Sequence, residues 1–78
     1  MHQVTMPRFS QDMESGLILE WRVREGERVR AGQVLAEIDT DKATIELESP
    51  CDGRVASILH GNGAEVPVGE VIAIIAEE

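Results

Sequence analysis

Few residues in this chain are able to do covalent chemistry. Lys42, in the stretch "IDTDKATIELE" at 38–48, is the only lysine among seven basic residues, the other six being arginine. A deprotonated primary amine attacks an activated acyl group and keeps it as an amide, whereas a guanidinium stays protonated and does not. Cys51, the only cysteine, and the histidines His2 and His60 lie far apart without metal-ligand spacing. They read as a small turn residue and two surface or strand-end imidazoles. No paired carboxylates, nucleophile with its base, or phosphate-cradling loop stands out, and His60 is followed only by "GNG".

Lys42 is placed by the elements on either side of it. Alternation predicts strands at 33–39 and 43–49, with Val34, Ala36 and Ile38 opposing Glu37 and Asp39, and Ala43, Ile45 and Leu47 opposing Thr44, Glu46 and Glu48. Only Thr40, Asp41 and Lys42 separate the two, so they predict an antiparallel hairpin with Asp41 and Lys42 at its tip. The pair is not the Asn-Gly or Asp-Gly of a primed turn, and a type I turn with Asp41 near its first position fits better.

The rest of the chain repeats. Moving the sequence by 37 places aligns residues 16–38 with 53–75 without a gap, and seven positions are identical: Gly16/Gly53, Gly26/Gly63, Val29/Val66, Gly32/Gly69, Val34/Val71, Ala36/Ala73 and Ile38/Ile75. Matched glycines mean matched turns. Each half predicts a longer strand, a short strand around Val29 or Val66, and a second longer strand. In the first of these, Leu17, Leu19, Trp21 and Val23 form the apolar side, which Ile18 breaks, and Trp21 reads as a core residue. Two copies of one β-unit predict an all-β flattened barrel or sandwich of two antiparallel sheets with pseudo-two-fold symmetry. Adding 37 to Lys42 passes the last residue by one. The lysine tip and the termini are therefore expected at opposite ends.

Composition agrees with one small domain over residues 1–78. A chain this short buries only about 60–65% of its unfolded surface, and with one Phe, one Trp and no Tyr its core must come from short branched side chains. A formal charge of −8 opposes nucleic acid and anionic membrane surfaces. No stretch approaches the roughly 20 apolar residues of a membrane span, and "MHQVTMPRF" has neither a signal-peptide nor a transit-peptide pattern. The lone cysteine fits a reducing compartment, so an intracellular, soluble chain is expected.

"IDTDKATIELESP" at 38–50, "MPRFSQDMESG" at 6–16 and the paired "GERVRAGQVL" and "GAEVPVGEVI" together resemble the lipoyl domain of the acyltransferase component of a 2-oxo acid dehydrogenase complex, within the biotinyl/lipoyl domain family. The resemblance covers nearly the whole chain. It implies a barrel-sandwich hybrid fold and lipoic acid attached to Lys42 as a swinging arm, which carries an acyl group as a thioester and two electrons as a dithiol. It implies that Asp41, with Thr40 and Ala43, helps a lipoate ligase or lipoyl transferase, and the decarboxylase component, recognise the tip. The loop residues Pro7, Ser10, Asp12 and Glu14 are expected to pack beside it and add contacts. The implied partners are a thiamine-diphosphate-dependent 2-oxo acid decarboxylase of pyruvate or acetoin type, the acyltransferase core and a flavin-dependent dihydrolipoamide dehydrogenase. The domain itself would be a non-catalytic monomer, a segment of a longer acyltransferase in a bacterial cytoplasm or a mitochondrial matrix.

Two other readings remain open on sequence. A biotin carrier resembles this fold and also uses a hairpin lysine, but typically brackets it with methionines where this tip reads Thr-Asp-Lys-Ala. An unmodified barrel-sandwich interaction module would accept neither group.

Overall fold

The structure is a computed structural model and describes residues 1–77. The described elements are all strands: β1 (His2–Thr5), β2 (Ser15–Trp21), β3 (Arg28–Val29), β4 (Val34–Asp39), β5 (Thr44–Glu48), β6 (Gly53–Ile58), β7 (Glu65–Pro67) and β8 (Val71–Glu77). They form two four-stranded sheets, in the orders β1-β8-β6-β3 and β5-β4-β2-β7, with every pairing antiparallel. The two-sheet architecture expected from the repeat is present, in a body measuring 35 × 21 × 18 Å.

The repeat governs the topology. The short strand of each half crosses over: β3 pairs with β6 of the second half, and β7 with β2 of the first. Neither half can complete its sheet alone. The symmetry extends to defects in the ladders. The β2–β4 register shifts between Ile18 and Glu20, and the β6–β8 register shifts at the equivalent step between Val55 and Ser57. The matched glycines Gly26, Gly32, Gly63 and Gly69 all have φ between 87° and 92°, a region that side-chain-bearing residues rarely occupy.

These bulges explain where alternation misassigned the core. Ile18, which seemed to break a polar side, is fully buried, while Leu19 is 41% exposed. The shift after Ile18 puts Leu19 and Glu20 consecutively outside, so strict two-residue alternation cannot run the length of β2. Leu35 is buried beside Ala36 for the same reason, at the shift between Val34 and Ala36, and Ile72 repeats it in the second half. Trp21 lies half-buried at the core's edge and donates from Nε1 to the His60 carbonyl at 2.7 Å.

β1 goes beyond the strands foreseen from sequence. Gln3 pairs with Ile74 on the edge of the first sheet, and Val4 enters the core. It occupies the place that β5 takes in the other sheet. Four residues in a stretch with no clear alternation were too short a signal.

The outer face of the second sheet carries Glu20, Glu37 and Glu46 abreast on neighbouring strands. Arg22 answers them, its Nη2 standing 3.0 Å from Glu37 and its Nε 3.5 Å from Glu20. The hydrogen bond and charge of Glu37 push the Arg22 pKa further up.

Gly16 tests the packing below the lysine end. A Cβ placed there would sit 2.7 Å from Met6 Sδ, 2.9 Å from Ile38 Cγ2 and 3.1 Å from Met13 Cε. Gly16→Ala is expected to cost about 1–3 kcal/mol by overpacking. Gly61→Ala, whose Cβ meets nothing within 4 Å, should stay within about 0.5 kcal/mol of the parent. Urea denaturation of both variants checks the contrast, and equal midpoints would contradict the packing.

Candidate functional site: the β4–β5 turn

From Ala36 with Leu47 onward, strands β4 and β5 stay in register up to the last pair, Asp39 with Thr44, leaving four residues to reverse the chain. Thr40 closes the turn. Its amide donates to the Ala43 carbonyl at 2.9 Å. Its hydroxyl donates to the same carbonyl at 2.8 Å and accepts from the amides of Ala43 at 3.1 Å and Lys42 at 3.3 Å. Thr40 therefore holds the first turn position that the sequence reading assigned to Asp41. The reason is local chemistry: a half-buried hydroxyl at the end of β4 can satisfy the turn's free amides, which leaves Asp41 exposed at the apex. Neither Asp41 nor Lys42 has positive φ, which excludes a primed hairpin turn.

Lys42 is exposed. Among the described residues its ammonium has no hydrogen-bonding or ion-pair partner. Asp41 and Ala43 are exposed beside it. The amine is therefore reachable without any opening of the core.

Beside the turn lies an open depression of about 380 Å³ lined by Asp12, Met13, Glu14, Ser15, Leu17, Asp39, Thr40, Asp41 and Glu65. Five of these nine are carboxylates, so the ground next to the lysine is strongly acidic. Of the residues named from sequence, Asp12, Glu14, Thr40 and Asp41 share this depression, whereas Pro7, Ser10, Lys42 and Ala43 lie outside its lining. Glu65 and Leu17 were not anticipated. Glu65 is on β7 and reaches the site because β7 pairs with β2, with Leu17 opposite Glu65. No local pattern in the sequence signals that pairing.

The 7–15 loop is shaped from within. Met13 is 2% exposed and its sulfur accepts the Phe9 amide at 3.3 Å. The Arg8 guanidinium donates to the carbonyls of Gln11 and Met13 at 3.0 and 2.9 Å. Ser15 Oγ donates to Glu65 Oε2 at 2.8 Å, tying the loop's end to β7. Ser10 contributes through its backbone, its carbonyl accepting the Met13 amide at 3.2 Å.

The family model described as "Biotin-requiring enzyme", which covers biotin and lipoyl attachment, matches residues 2–75. The chain belongs to this biotin/lipoyl family. It is 47% identical over 76 residues to the dihydrolipoyllysine-residue acetyltransferase component of the pyruvate dehydrogenase complex of Rhizobium meliloti, covering 96% of this chain and 17% of that protein. It is 50% identical over 74 residues to the mitochondrial pyruvate dehydrogenase complex protein X component of Chaetomium thermophilum, covering 94% of this chain and 17% of that protein. The chain thus spans 17% of the length of either relative. Among solved structures it matches the lipoyl domain of the 2-oxoglutarate dehydrogenase complex of Azotobacter vinelandii with a TM-score of 0.81 at 27% identity, covering 99% of this chain and 98% of that one.

The Thr40 hydroxyl bonds predict that Thr40→Val loosens the turn, costing about 1–2 kcal/mol. The amides of Lys42 and Ala43 should then exchange hydrogen faster, and Thr40→Ser should retain protection. Unchanged exchange in Thr40→Val would show that the hydroxyl does not hold the turn.

Proposed function

We propose that this chain is a carrier domain, lipoylated on Lys42, that serves a 2-oxo acid dehydrogenase complex of pyruvate type. The observation that carries the reading is the single lysine of the sequence standing exposed, without an ion-pair partner among the described residues, at the apex of a ladder-anchored turn. The acetyltransferase and protein X relatives support the pyruvate assignment, and the lipoyl-domain neighbour supports lipoate over biotin.

The residues at the turn fit the group. Attachment needs one unhindered amine whose loss of charge disturbs nothing, and among the described residues Lys42 has no ion-pair partner that acylation would break. The methylene stem adds reach, and the exposed position leaves room for an arm to sweep. Bound there, lipoate supplies acyl-group and two-electron carriage, while the protein supplies presentation and recognition. Acylation removes one positive charge, taking the formal charge from −8 to −9. The acidic depression beside the arm then becomes the surface a partner reads, with Asp41, Asp12 and Glu14 as its accessible charges.

The proposed partners are a lipoate ligase or lipoyl transferase, a thiamine-diphosphate-dependent decarboxylase, the acyltransferase core and dihydrolipoamide dehydrogenase. Contacts with them are transient, since a carrier must leave each site. The compartment is the bacterial cytoplasm or the mitochondrial matrix, where such complexes would be served.

The family's breadth makes biotin the second reading, and intact mass separates the two. Incubation with a lipoate ligase should add one lipoyl group, incubation with a biotin ligase should add nothing, and Lys42→Arg should fold normally and accept neither. A lipoylated Lys42→Arg chain would refute the site; exclusive biotinylation would refute the cofactor. Asp41→Ala should slow lipoylation while changing stability by less than about 0.5 kcal/mol, because the side chain is exposed. Unchanged modification kinetics would remove Asp41 from the recognition surface.

A further inference from the structure

His2, Cys51 and Glu77 are distant in sequence, and no ligand spacing links them, but the fold gathers them. Their potential ligand atoms all lie within 4.8 Å of one another, the one such trio of His, Cys, Asp or Glu among the described residues. His2 Nδ1 stands 3.9 Å from Glu77 Oε1.

The ladder explains the convergence. His2 pairs with Ile75, whose side chain is fully buried, so both face inward. Glu77 is two residues beyond Ile75 on β8 and shares that face, at the point where the core runs out. Gly53 pairs with Glu77, and Cys51 lies two residues before Gly53, half-buried against the core. The repeat places Ile45, Glu14 and Thr40 at the corresponding positions of the other half, the first by its pairing with Ile38 and the others by the 37-residue offset. That constellation has neither thiol nor imidazole. The shared backbone therefore does not require a His-Cys-Glu set, and it is particular to this end of the domain.

We propose that His2, Cys51 and Glu77 form a binding site for a borderline-soft divalent cation, with Zn²⁺ the best match. One imidazole nitrogen, one thiolate and one carboxylate are the ligand types zinc accepts, whereas Ca²⁺ and Mg²⁺ require oxygen alone. Tetrahedral zinc at ordinary bond lengths sets its ligand atoms about 3.3–3.6 Å apart, so closure needs side-chain movements of about 1 Å. His2 is half-buried and Glu77 exposed, so both have room to make them. Binding breaks the S–H bond of Cys51, forms an S–metal bond and releases the proton to solvent. Thiolate and carboxylate together neutralise the cation, and solvent completes the fourth position. Burial, aided by the charges of Glu77 and Asp52, raises the thiol pKa. The same negative charges favour a bound cation.

The test uses the unmodified chain, its mass confirming no lipoyl group, because a reduced dithiol would itself bind metal. Titration with Zn²⁺ by calorimetry should show one ion per chain, and Co²⁺ should give a thiolate-to-cobalt charge-transfer band. Cys51→Ser and Cys51→Ala should both lose the band. His2→Ala and Glu77→Gln should each weaken Zn²⁺ binding at least about tenfold, since changing even an outer-shell partner costs that much. His60→Ala, which removes an imidazole outside the trio, should bind as the parent does. Amide NMR spectra of each variant confirm the fold. Absence of the band at saturating Co²⁺ would overturn the site, as would an affinity that His2→Ala and Glu77→Gln leave unchanged.

Discussion

Presentation of Lys42 depends on how firmly the backbone is held at each end of the β4–β5 turn. An amine on a floppy loop would be equally exposed, but its surroundings would present no fixed surface to a partner. Here the ladder continues to Asp39 and Thr44, and the hydroxyl of Thr40 absorbs the turn's remaining polar groups. Among the described residues, what is left outside the bonded framework is the side chains of Asp41 and Lys42, an acid and an amine on a rigid base. A cofactor arm attached there would be mobile while its root stayed fixed.

That rigidity is produced by the whole domain. Because β3 and β7 exchange between halves, each sheet is completed only when both halves are folded, which makes the domain cooperative despite a core lacking large aromatic side chains. Gly16 lets Met6, Met13 and Ile38 close beneath the loop, and Gly53 has the same role in the other half, where a Cβ would collide with the Ala76 carbonyl. The two halves then diverge on one backbone plan. One set of equivalent positions contributes Glu14 and Thr40 to an acidic depression, the other holds Cys51 and Glu77 beside His2.

Much of this was legible in the sequence because it rests on local rules. The 37-residue offset correctly located the turns, since glycine with positive φ marks the chain at fixed places. The hairpin followed from alternation on both sides of a three-residue gap. What was not legible came from irregularities and from distance. Bulges after Ile18 and around Leu35 reassigned which residues face inward, and alternation has no means to foresee an extra residue in a ladder. β1 was missed because its pairing is with β8, at the other extreme of the chain. Glu65 joined the acidic depression, and His2 met Cys51 and Glu77, only through strand pairings that no local pattern encodes. The description stops at Glu77, so the expectation that the last residue is the counterpart of the lysine tip lies outside the described residues. The His2–Glu77 contact does place the two described strand ends together, at the end of the other sheet that corresponds to the β4–β5 turn.

The central claim is that Lys42 presents an arm for acyl transfer, and reductive acylation measures it most directly. The lipoylated domain should be acetylated when mixed with pyruvate and a thiamine-diphosphate-dependent pyruvate decarboxylase component, gaining one acetyl group by mass. Free lipoamide at equal concentration should react far more slowly, because it lacks the acidic surface beside the turn. A lipoylated domain that no 2-oxo acid decarboxylase acylates faster than free lipoamide would contradict the account.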